Sequence, residues 1–228
     1  PGTVPNHVAE RADFETAAGM TPETIGAIRA NYDGKISFID YWCGEILEAY
    51  RRKGWLDDLF IVLLSDHGEM AGDHGRLYKR TFYESSLRIP LIMRWPGHIP
   101  AGSECGAMIE SIDVPSGILE ALGIDQLQMS LGQSMWHVID KPTEGHRTDV
   151  LSEVYFGGSR NFMIKSSRYK YVMDHSGEGF MLYDMVADPQ EQHNLIGGPS
   201  ASDVETEMRD VMLKRLAVGT FVMEAVNL

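Results

Sequence analysis

One segment of the sequence concentrates side chains that bind metal ions and anions. Residues 65–79 read Ser-Asp-His-Gly-Glu-Met-Ala-Gly-Asp-His-Gly-Arg-Leu-Tyr-Lys. Asp66 and His67 place a carboxylate oxygen beside an imidazole nitrogen, and both atoms bind divalent ions. Gly68 lets the backbone turn close to such an ion. The pattern is compatible with a metal site at Asp66 and His67. An Asp-His pair at a turn is more often a cap or a surface hydrogen bond.

Two further residues of this segment can act on an anion or on a metal ligand. The loop can bring the Lys79 ammonium back to the Asp66-His67 pair, where it would act as a point charge against an oxyanion. The alternative for this residue is a solvated lysine beside Arg80. His74 stands in a second Asp-His-Gly, seven residues after the first. It can orient a metal ligand or simply cap the turn.

The preceding elements predict where this segment lies in a fold. Thr21, Pro22 and Glu23 form a helix start, and apolar residues then recur every three or four positions until Gly54. Residues 59–64 are all apolar, which is typical of a strand covered on both faces in a parallel sheet. Asp66 would then emerge at the carboxyl end of that strand, where open α/β sheets form their sites.

The rest of the sequence predicts a further strand and helix, followed by a region of shorter apolar segments. Residues 89–95 form a second apolar piece, and residues 111–123 a loop with a helix. Short apolar pieces at 150–155, 161–164 and 169–172 indicate antiparallel strands, and residues 201–216 a terminal helix. We therefore expect an α/β domain over residues 1–146 and a small antiparallel α+β subdomain over 147–228.

Composition excludes several classes of protein. The 228 residues are 43% hydrophobic, enough for a real core, and the formal net charge is −13. That charge argues against a general nucleic-acid or anionic-membrane surface. No apolar run approaches the roughly 20 residues of a membrane span, so we do not expect the protein to span a membrane. Cys43 and Cys105 indicate neither a disulfide framework nor a CxxC metal site. Localisation and oligomeric state stay open.

Longer stretches resemble the sulfatase family. Residues 65–97 closely resemble the second sulfatase motif region, including Tyr83-Glu84 and the arginine-x-proline-leucine that begins at Arg88. Residues 31–47, 102–123 and 182–195 are similar to flanking family segments, so the resemblance covers most of the chain. It implies the C-terminal part of a sulfatase, with an alkaline-phosphatase-like mixed sheet flanked by helices, a small antiparallel subdomain and a terminal helix.

The resemblance also implies roles for the residues of the metal-binding segment. Asp66 and His67 would be ligands of a divalent ion, most often Ca²⁺ in sulfatases, and Lys79 would hold the sulfate group. His74 would be a weaker candidate for orienting a ligand. Many sulfatases have asparagine at the position of His67, and the Asp-His form also occurs in phosphonate and phosphodiester hydrolases. A nitrogen ligand makes Mn²⁺ or another transition ion more plausible, and Mg²⁺ stays open.

The family's nucleophile has no counterpart in this sequence. Sulfatases use a formylglycine made from the Cys or Ser of a C/S-x-P-x-R motif, and neither Cys43 nor Cys105 fits that motif. The opening at Pro1 resembles a loop interior, and Pro5-Asn6 resembles the stretch after the family's His-x-Pro loop. We expect the chain to begin about midway through a sulfatase that acts on a sulfated small molecule or glycan. The isolated chain should be inactive.

Three alternatives stay open. The parent protein can be a phosphonate monoester or phosphodiester hydrolase of the same superfamily. The chain can be a non-catalytic relative that binds a partner or sulfated glycan, or Asp66, His67 and Lys79 can merely stabilise a loop. Within residues 147–228, four basic residues are expected on the solvated face of a sheet rather than in a cleft: Arg160, Lys165, Arg168 and Lys170. Four histidines have no ligand-like spacing: His137, His146, His175 and His193.

Overall fold

The computed structural model describes residues 16–128, 130–141, 144–156, 158–199 and 201–226. The interpretation of Pro1 and of Pro5-Asn6 lies outside these residues. Close contacts divide the chain between Gly102 and Ser103, and we refer to the parts before and after as the first and second units. The division at residue 146 that the sequence suggested stays a prediction about the domains of a complete sulfatase.

The first unit opens with the long helix that the sequence predicted. Helix α1 spans Pro22–Arg52, with Pro22 in its first turn. The Thr21 hydroxyl caps it by accepting the Thr24 N–H at 3.3 Å. The helix ends at Lys53, and Gly54 follows with φ of 73°. Capping and proline placement therefore fix this helix locally, independently of what it packs against.

The apolar face of α1 is largely uncovered. None of its residues is buried. Ile36, Ile39 and Trp42 are 51%, 60% and 51% exposed. Phe38 and Tyr41 lie edge-on to Trp42, with ring centroids 6.2 and 5.5 Å away. The described part of the chain thus leaves an aromatic surface on this helix without a covering layer.

The two strands of the first unit correct one expectation. Strand β1 (Ile61–Leu64) pairs antiparallel with β2 (Leu91–Arg94) in a two-stranded sheet, not in a parallel one. Leu63 and Leu64 are 39% and 42% exposed, so the strand is not covered on both faces here. An apolar run indicates that a strand suits burial, but the direction of its partner is set by distant residues. Between the strands lies a short helix, α2 (Glu84–Leu87).

The second unit confirms the antiparallel subdomain and the terminal helix. Helices α3 (Asp113–Ala121) and α4 (Trp136–Asp140) precede a sheet that the terminal helix α5 (Ser202–Val226) follows. The sheet has the order β3-β4-β5-β6 with antiparallel neighbours. Its strands are β3 (Asp149–Phe156), β4 (Ser159–Ser166), β5 (Tyr169–Asp174) and β6 (Gly179–Asp184). Core residues from the sheet and α5 pack together: Ile164, Tyr171, Leu182, Met208 and Met212. No helix among the described residues is long and apolar enough to cross a membrane.

Three of the four basic residues singled out in this sheet pair with carboxylates. Arg160 binds Glu153 at 2.9 Å, and Arg168 binds Asp184 at 2.8 Å. Lys170 corrects the expectation of a solvated face, because its side chain is 0% exposed and its Nζ lies 2.6 Å from Glu191 Oε1. Both faces of β5 are covered, so a lysine there is kept in the interior by its carboxylate partner.

A second buried ion network joins the start of α3 to the residues just before β3. Asp113 is fully buried and accepts hydrogen bonds from the Arg147 guanidinium and from the backbone N–H groups of Gln133 and Glu110. His146 Nε2 lies 3.2 Å from Asp113 Oδ2. Burial raises the pKa of Asp113, but the hydrogen bonds from Arg147 and the backbone outweigh it and hold the pKa below its usual value. This carboxylate is therefore structural.

Candidate functional site

The candidate site lies on the site loop, residues 65–80, which leaves the carboxyl end of β1 as predicted. The Ser65 hydroxyl donates to the His67 carbonyl at 2.8 Å, and the Gly68 N–H donates to the Ser86 carbonyl at 2.8 Å. A side chain at Gly68 would put its Cβ 2.0 Å from the Ser85 carbonyl oxygen. Glycine is thus required by the close approach of α2, which fixes where Asp66 and His67 leave the strand.

Asp66 and His67 face each other across a short gap. Asp66 Oδ2 lies 3.2 Å from His67 Nε2, and His67 Nδ1 lies 2.8 Å from the Gly68 carbonyl oxygen. A carbonyl oxygen can only accept, so Nδ1 carries the proton of this hydrogen bond. In the neutral ring, Nε2 then directs a lone pair at a carboxylate oxygen. That arrangement is favourable only when a cation, either a proton or a metal ion, lies between the two atoms.

The pair fits adjacent ligands of one divalent ion. Ligand bonds of about 2.1–2.4 Å at right angles place two donor atoms about 3.0–3.4 Å apart. The exposed Asp66 side chain can approach an ion without desolvation of a buried carboxylate, since it is 83% exposed. Within the described ranges, however, no cluster of three metal-binding side chains occurs. Asp66 and His67 would therefore supply only part of the ligands that such an ion needs.

The charge of Lys79 reaches this pair. Desolvation raises the pKa of Asp66, but the positive charges of His67 and Lys79, together with backbone N–H groups, outweigh it and lower that pKa. One of these groups is the His67 N–H, which donates to Asp66 Oδ1 at 3.0 Å. The Lys79 side chain is exposed. The positive charge of Lys79 thus acts on the Asp66 carboxylate.

The backbone of the site loop is strained around Lys79. Five described non-glycine residues have positive φ, and four of them fall within residues 71–80: Ala71, His74, Tyr78 and Arg80. Tyr78 and Arg80 flank Lys79 with φ of 64° and 74°. Each such residue costs about 1–2 kcal/mol, and strain of this kind clusters at functional sites. The observation favours a functional loop over an ordinary surface turn.

Several contacts hold the strained backbone. Glu69 Oε1 accepts the N–H groups of Ala71 and Tyr78 at 3.1 and 2.6 Å. From α1, Arg29 donates to the Ala71 carbonyl at 2.9 Å and to Asp73 Oδ1 at 2.7 Å. Glu69 and Arg29 were not singled out from the sequence. Glu69 stands inside the motif and was a possible signal, whereas nothing local marks Arg29.

His74 packs against an aromatic ring. Its imidazole stacks on Tyr83 with ring centroids 3.7 Å apart and planes 8° apart. The neighbouring Asp73 accepts the Ser85 hydroxyl at 2.6 Å, which ties this turn to α2. The ring of His74 is therefore held in place by stacking, and its predicted role in orienting a metal ligand stays a prediction.

The loop also borders an open space in the first unit. A cavity of about 380 Å³ lies between α1 and the loop. Its polar lining includes Asn31, Lys35, Glu69 and Tyr78. A small molecule therefore has room beside the loop.

Comparison with known families confirms the resemblance. The profile described as Sulfatase matches residues 2–124, and the profile described as N-sulphoglucosamine sulphohydrolase, C-terminal, matches residues 72–217. Each match covers more than half of the chain, and together they span both units.

Curated relatives are longer than this chain. Arylsulfatase K of Bos taurus is 30% identical over 188 residues, which are 77% of this chain and 34% of the relative. The multifunctional alkaline phosphatase superfamily protein PehA of Trinickia caryophylli is 30% identical over 234 residues, 93% of this chain and 45% of that protein. The chain thus spans about a third to a half of the length of these relatives.

Solved structures share the fold. BT1596, a 2-O GAG sulfatase, aligns with a TM-score of 0.82 at 22% identity, over 92% of this chain and 47% of that one. BT4656, solved with its substrate D-glucosamine-2-N,6-O-disulfate, aligns with 0.71 at 27% identity, over 78% and 38%. The phosphonate monoester hydrolase of Agrobacterium radiobacter aligns with 0.78 at 28% identity, over 90% and 43%. The chain belongs to the sulfatase family of the alkaline-phosphatase superfamily and corresponds to its C-terminal portion.

Proposed function

We propose that the protein hydrolyses sulfate esters and that this chain supplies one part of the active site. The observation that carries the proposal is the pairing of Asp66 Oδ2 with His67 Nε2 at 3.2 Å, within reach of the charge of Lys79, in a chain of the sulfatase family. The substrate is a sulfated small molecule or glycan, in keeping with the sulfated glucosamine bound by BT4656.

Asp66 and His67 would hold the divalent ion. When bound, the ion would supply Lewis-acid polarisation of a sulfate oxygen. Ca²⁺ is the first candidate, and the imidazole nitrogen keeps Mn²⁺ in consideration, with Mg²⁺ as a further possibility. The hydrogen bond from His67 Nδ1 to the Gly68 carbonyl keeps Nε2 available as the ligand atom.

Lys79 would bind the sulfate group. Its ammonium extends from a loop whose backbone is held by hydrogen bonds at Tyr78, so the backbone needs little further ordering when the anion binds. A fixed cation stabilises negative charge on sulfate oxygens more effectively than mobile water does. His74, stacked on Tyr83, would steady the turn that precedes Lys79.

The nucleophile would come from outside this chain. No Cys or Ser in the sequence stands in a C/S-x-P-x-R motif. The chain covers 34% of bovine arylsulfatase K, so a longer protein has room for that motif and for further metal ligands. We propose a formylglycine in that longer protein. The isolated chain would then turn over no aryl sulfate, even with added Ca²⁺.

The test compares the longer protein with this chain. The longer protein should hydrolyse an aryl sulfate, and Lys79→Ala should lower kcat/KM by about 100-fold, from loss of a charge-assisted contact. Glu48→Gln, which alters an exposed ion pair on α1, is the matched control and should leave the rate unchanged. Equal rates for Lys79→Ala and Glu48→Gln would remove Lys79 from the site. Turnover by the isolated chain above a metal-free blank would refute the external nucleophile.

A phosphonate monoester hydrolase is the second candidate. The observation that favours it is the alignment with the Agrobacterium radiobacter enzyme over 90% of this chain, at 28% identity. The ratio of kcat/KM for an aryl sulfate and an aryl phosphonate monoester separates the two activities. If neither ester is hydrolysed but a sulfated sugar binds in a calorimetric titration, the protein is a non-catalytic binding module.

A further inference from the structure

We propose that Glu69 is a positioning residue that holds Lys79 at a fixed place relative to the Asp66-His67 pair. The proposal rests on the proposed function, in which Lys79 binds the sulfate group. Glu69 itself is assigned no contact with substrate. Its task would be to fix the peptide immediately before Lys79.

Both backbone polar groups of Tyr78 are hydrogen-bonded within the loop. Glu69 Oε1 accepts the Tyr78 N–H at 2.6 Å, and the Met70 N–H donates to the Tyr78 carbonyl at 2.8 Å. Met70 is 0% exposed, which anchors this connection in the interior of the first unit. Two consecutive residues near the start of the site loop therefore hold the residue before Lys79, although nine positions separate Glu69 from Tyr78.

A negative charge is suited to this task. The same oxygen, Oε1, also accepts the Ala71 N–H at 3.1 Å, so one carboxylate draws together both ends of the loop. Hydrogen bonds to an ionised acceptor are stronger than those between neutral groups. These hydrogen bonds offset the backbone strain at Tyr78 and Arg80. Without them, the backbone at these two residues would relax from positive φ and displace Lys79.

Glu69 is close along the chain to the Asp66-His67 pair. Glu69 stands three residues after Asp66, and the intervening Gly68 is fixed by its N–H bond to the Ser86 carbonyl. Lys79 is therefore tied to the same rigid segment as Asp66 and His67, by hydrogen bonds rather than by the flexible length of the loop. Loss of the Glu69 carboxylate should displace the Lys79 ammonium while leaving Asp66 and His67 in place.

The first experiment measures the loop without using activity. Hydrogen exchange of the Tyr78 amide in this chain should be about 10- to 100-fold faster in Glu69→Ala, the effect of losing a charge-assisted hydrogen bond. Glu69→Gln retains a side-chain oxygen without the charge and should recover part of the protection. Glu48→Gln is the control and should exchange as the wild type does. Unchanged exchange in Glu69→Ala would overturn the proposal.

The second experiment asks whether Glu69 acts through Lys79. In the longer protein, Glu69→Ala should lower kcat/KM for an aryl sulfate by about 10- to 100-fold. In a Lys79→Ala background the same change should cost almost nothing more, because the residue that it positions is gone. Losses that multiply in the double variant would mean that Glu69 acts elsewhere, and would overturn the proposal. If Lys79→Ala alone is without effect, the proposed function has failed, whereas the exchange result still tests the loop.

Discussion

Glu191→Gln should strongly destabilise the second unit. Lys170 and Glu191 are 0% and 3% exposed in their side chains, and their charged atoms lie 2.6 Å apart. The substitution keeps the size of the side chain and an acceptor oxygen but removes the charge. The ammonium of Lys170 then stays in the interior without the negative charge of Glu191. Breaking a buried pair in this way costs about 3–5 kcal/mol, which corresponds to a fall in Tm of roughly 10–20 °C.

Thermal unfolding followed by circular dichroism at pH 7 measures this effect. Glu153→Gln is the matched control, because it makes the same chemical change in a pair whose side chains are 55% and 49% exposed. Exposed pairs contribute about 0–1 kcal/mol, so the control should shift Tm by only a few degrees. The double variant Lys170→Met with Glu191→Gln removes both charges and should recover much of the loss.

Equal Tm values for Glu191→Gln and Glu153→Gln would refute this reasoning. That outcome would mean that the Lys170 ammonium is solvated in solution rather than held in the interior by Glu191. A double variant no more stable than Glu191→Gln alone would show that the loss comes from side-chain packing and not from an uncompensated charge.

Three further outcomes follow from the structure. Asp113→Asn should cost about 1.5–3 kcal/mol at pH 7, because it removes the closer of two buried carboxylates that pair with Arg147, the other being Glu110. Because the folded pKa of Asp113 is lowered, its contribution is present above the unfolded pKa of about 4 and is lost as pH falls through the folded value. Urea midpoints of wild type and variant should therefore converge below about pH 4, and a constant difference would contradict this. Gly68→Ala should destabilise the first unit by about 2 kcal/mol or more, since its Cβ would lie 2.0 Å from the Ser85 oxygen. Wild-type urea unfolding of that variant would show that α2 can move away. Chelation with EDTA should abolish sulfate ester hydrolysis by the longer protein and added Ca²⁺ or Mn²⁺ should restore it, whereas EDTA-resistant turnover would remove the metal from the mechanism.

Local signals predicted the elements of the fold well. Helix α1 begins at Thr21 and Pro22, as the capping pattern indicated, because a hydroxyl cap and a first-turn proline act on adjacent backbone alone. The antiparallel strands β3 to β5 follow from short apolar pieces between glycines and serines. The terminal helix extends ten residues beyond the predicted Leu216, to Val226.

Relations between distant residues were predicted less well. The sequence indicated β1 as a strand but gave the wrong direction for its neighbour, because pairing direction depends on residues 27 to 33 positions away. Lys170 was expected in solvent, since no local pattern marks its partner Glu191, 21 positions later. Asp66, His67 and Lys79 were proposed as a site from their residue types and spacing together with the family resemblance, and their roles stay a prediction. Their supports, Glu69 and Arg29, became visible only through backbone hydrogen bonds in three dimensions.

The site loop closes largely on itself. Asp66 and Lys79 lie within one stretch of fourteen residues, and the bonds from Glu69 and Met70 to Tyr78 join its two ends. Bonds within this stretch therefore set much of its geometry, with further support from Arg29 on α1 and from Ser85 and Ser86 on α2. Under the proposed function, this arrangement would allow the surrounding residues, and with them the preferred ester, to change while the stretch keeps its internal bonds. It would suit a superfamily that contains both sulfatases and phosphonate hydrolases.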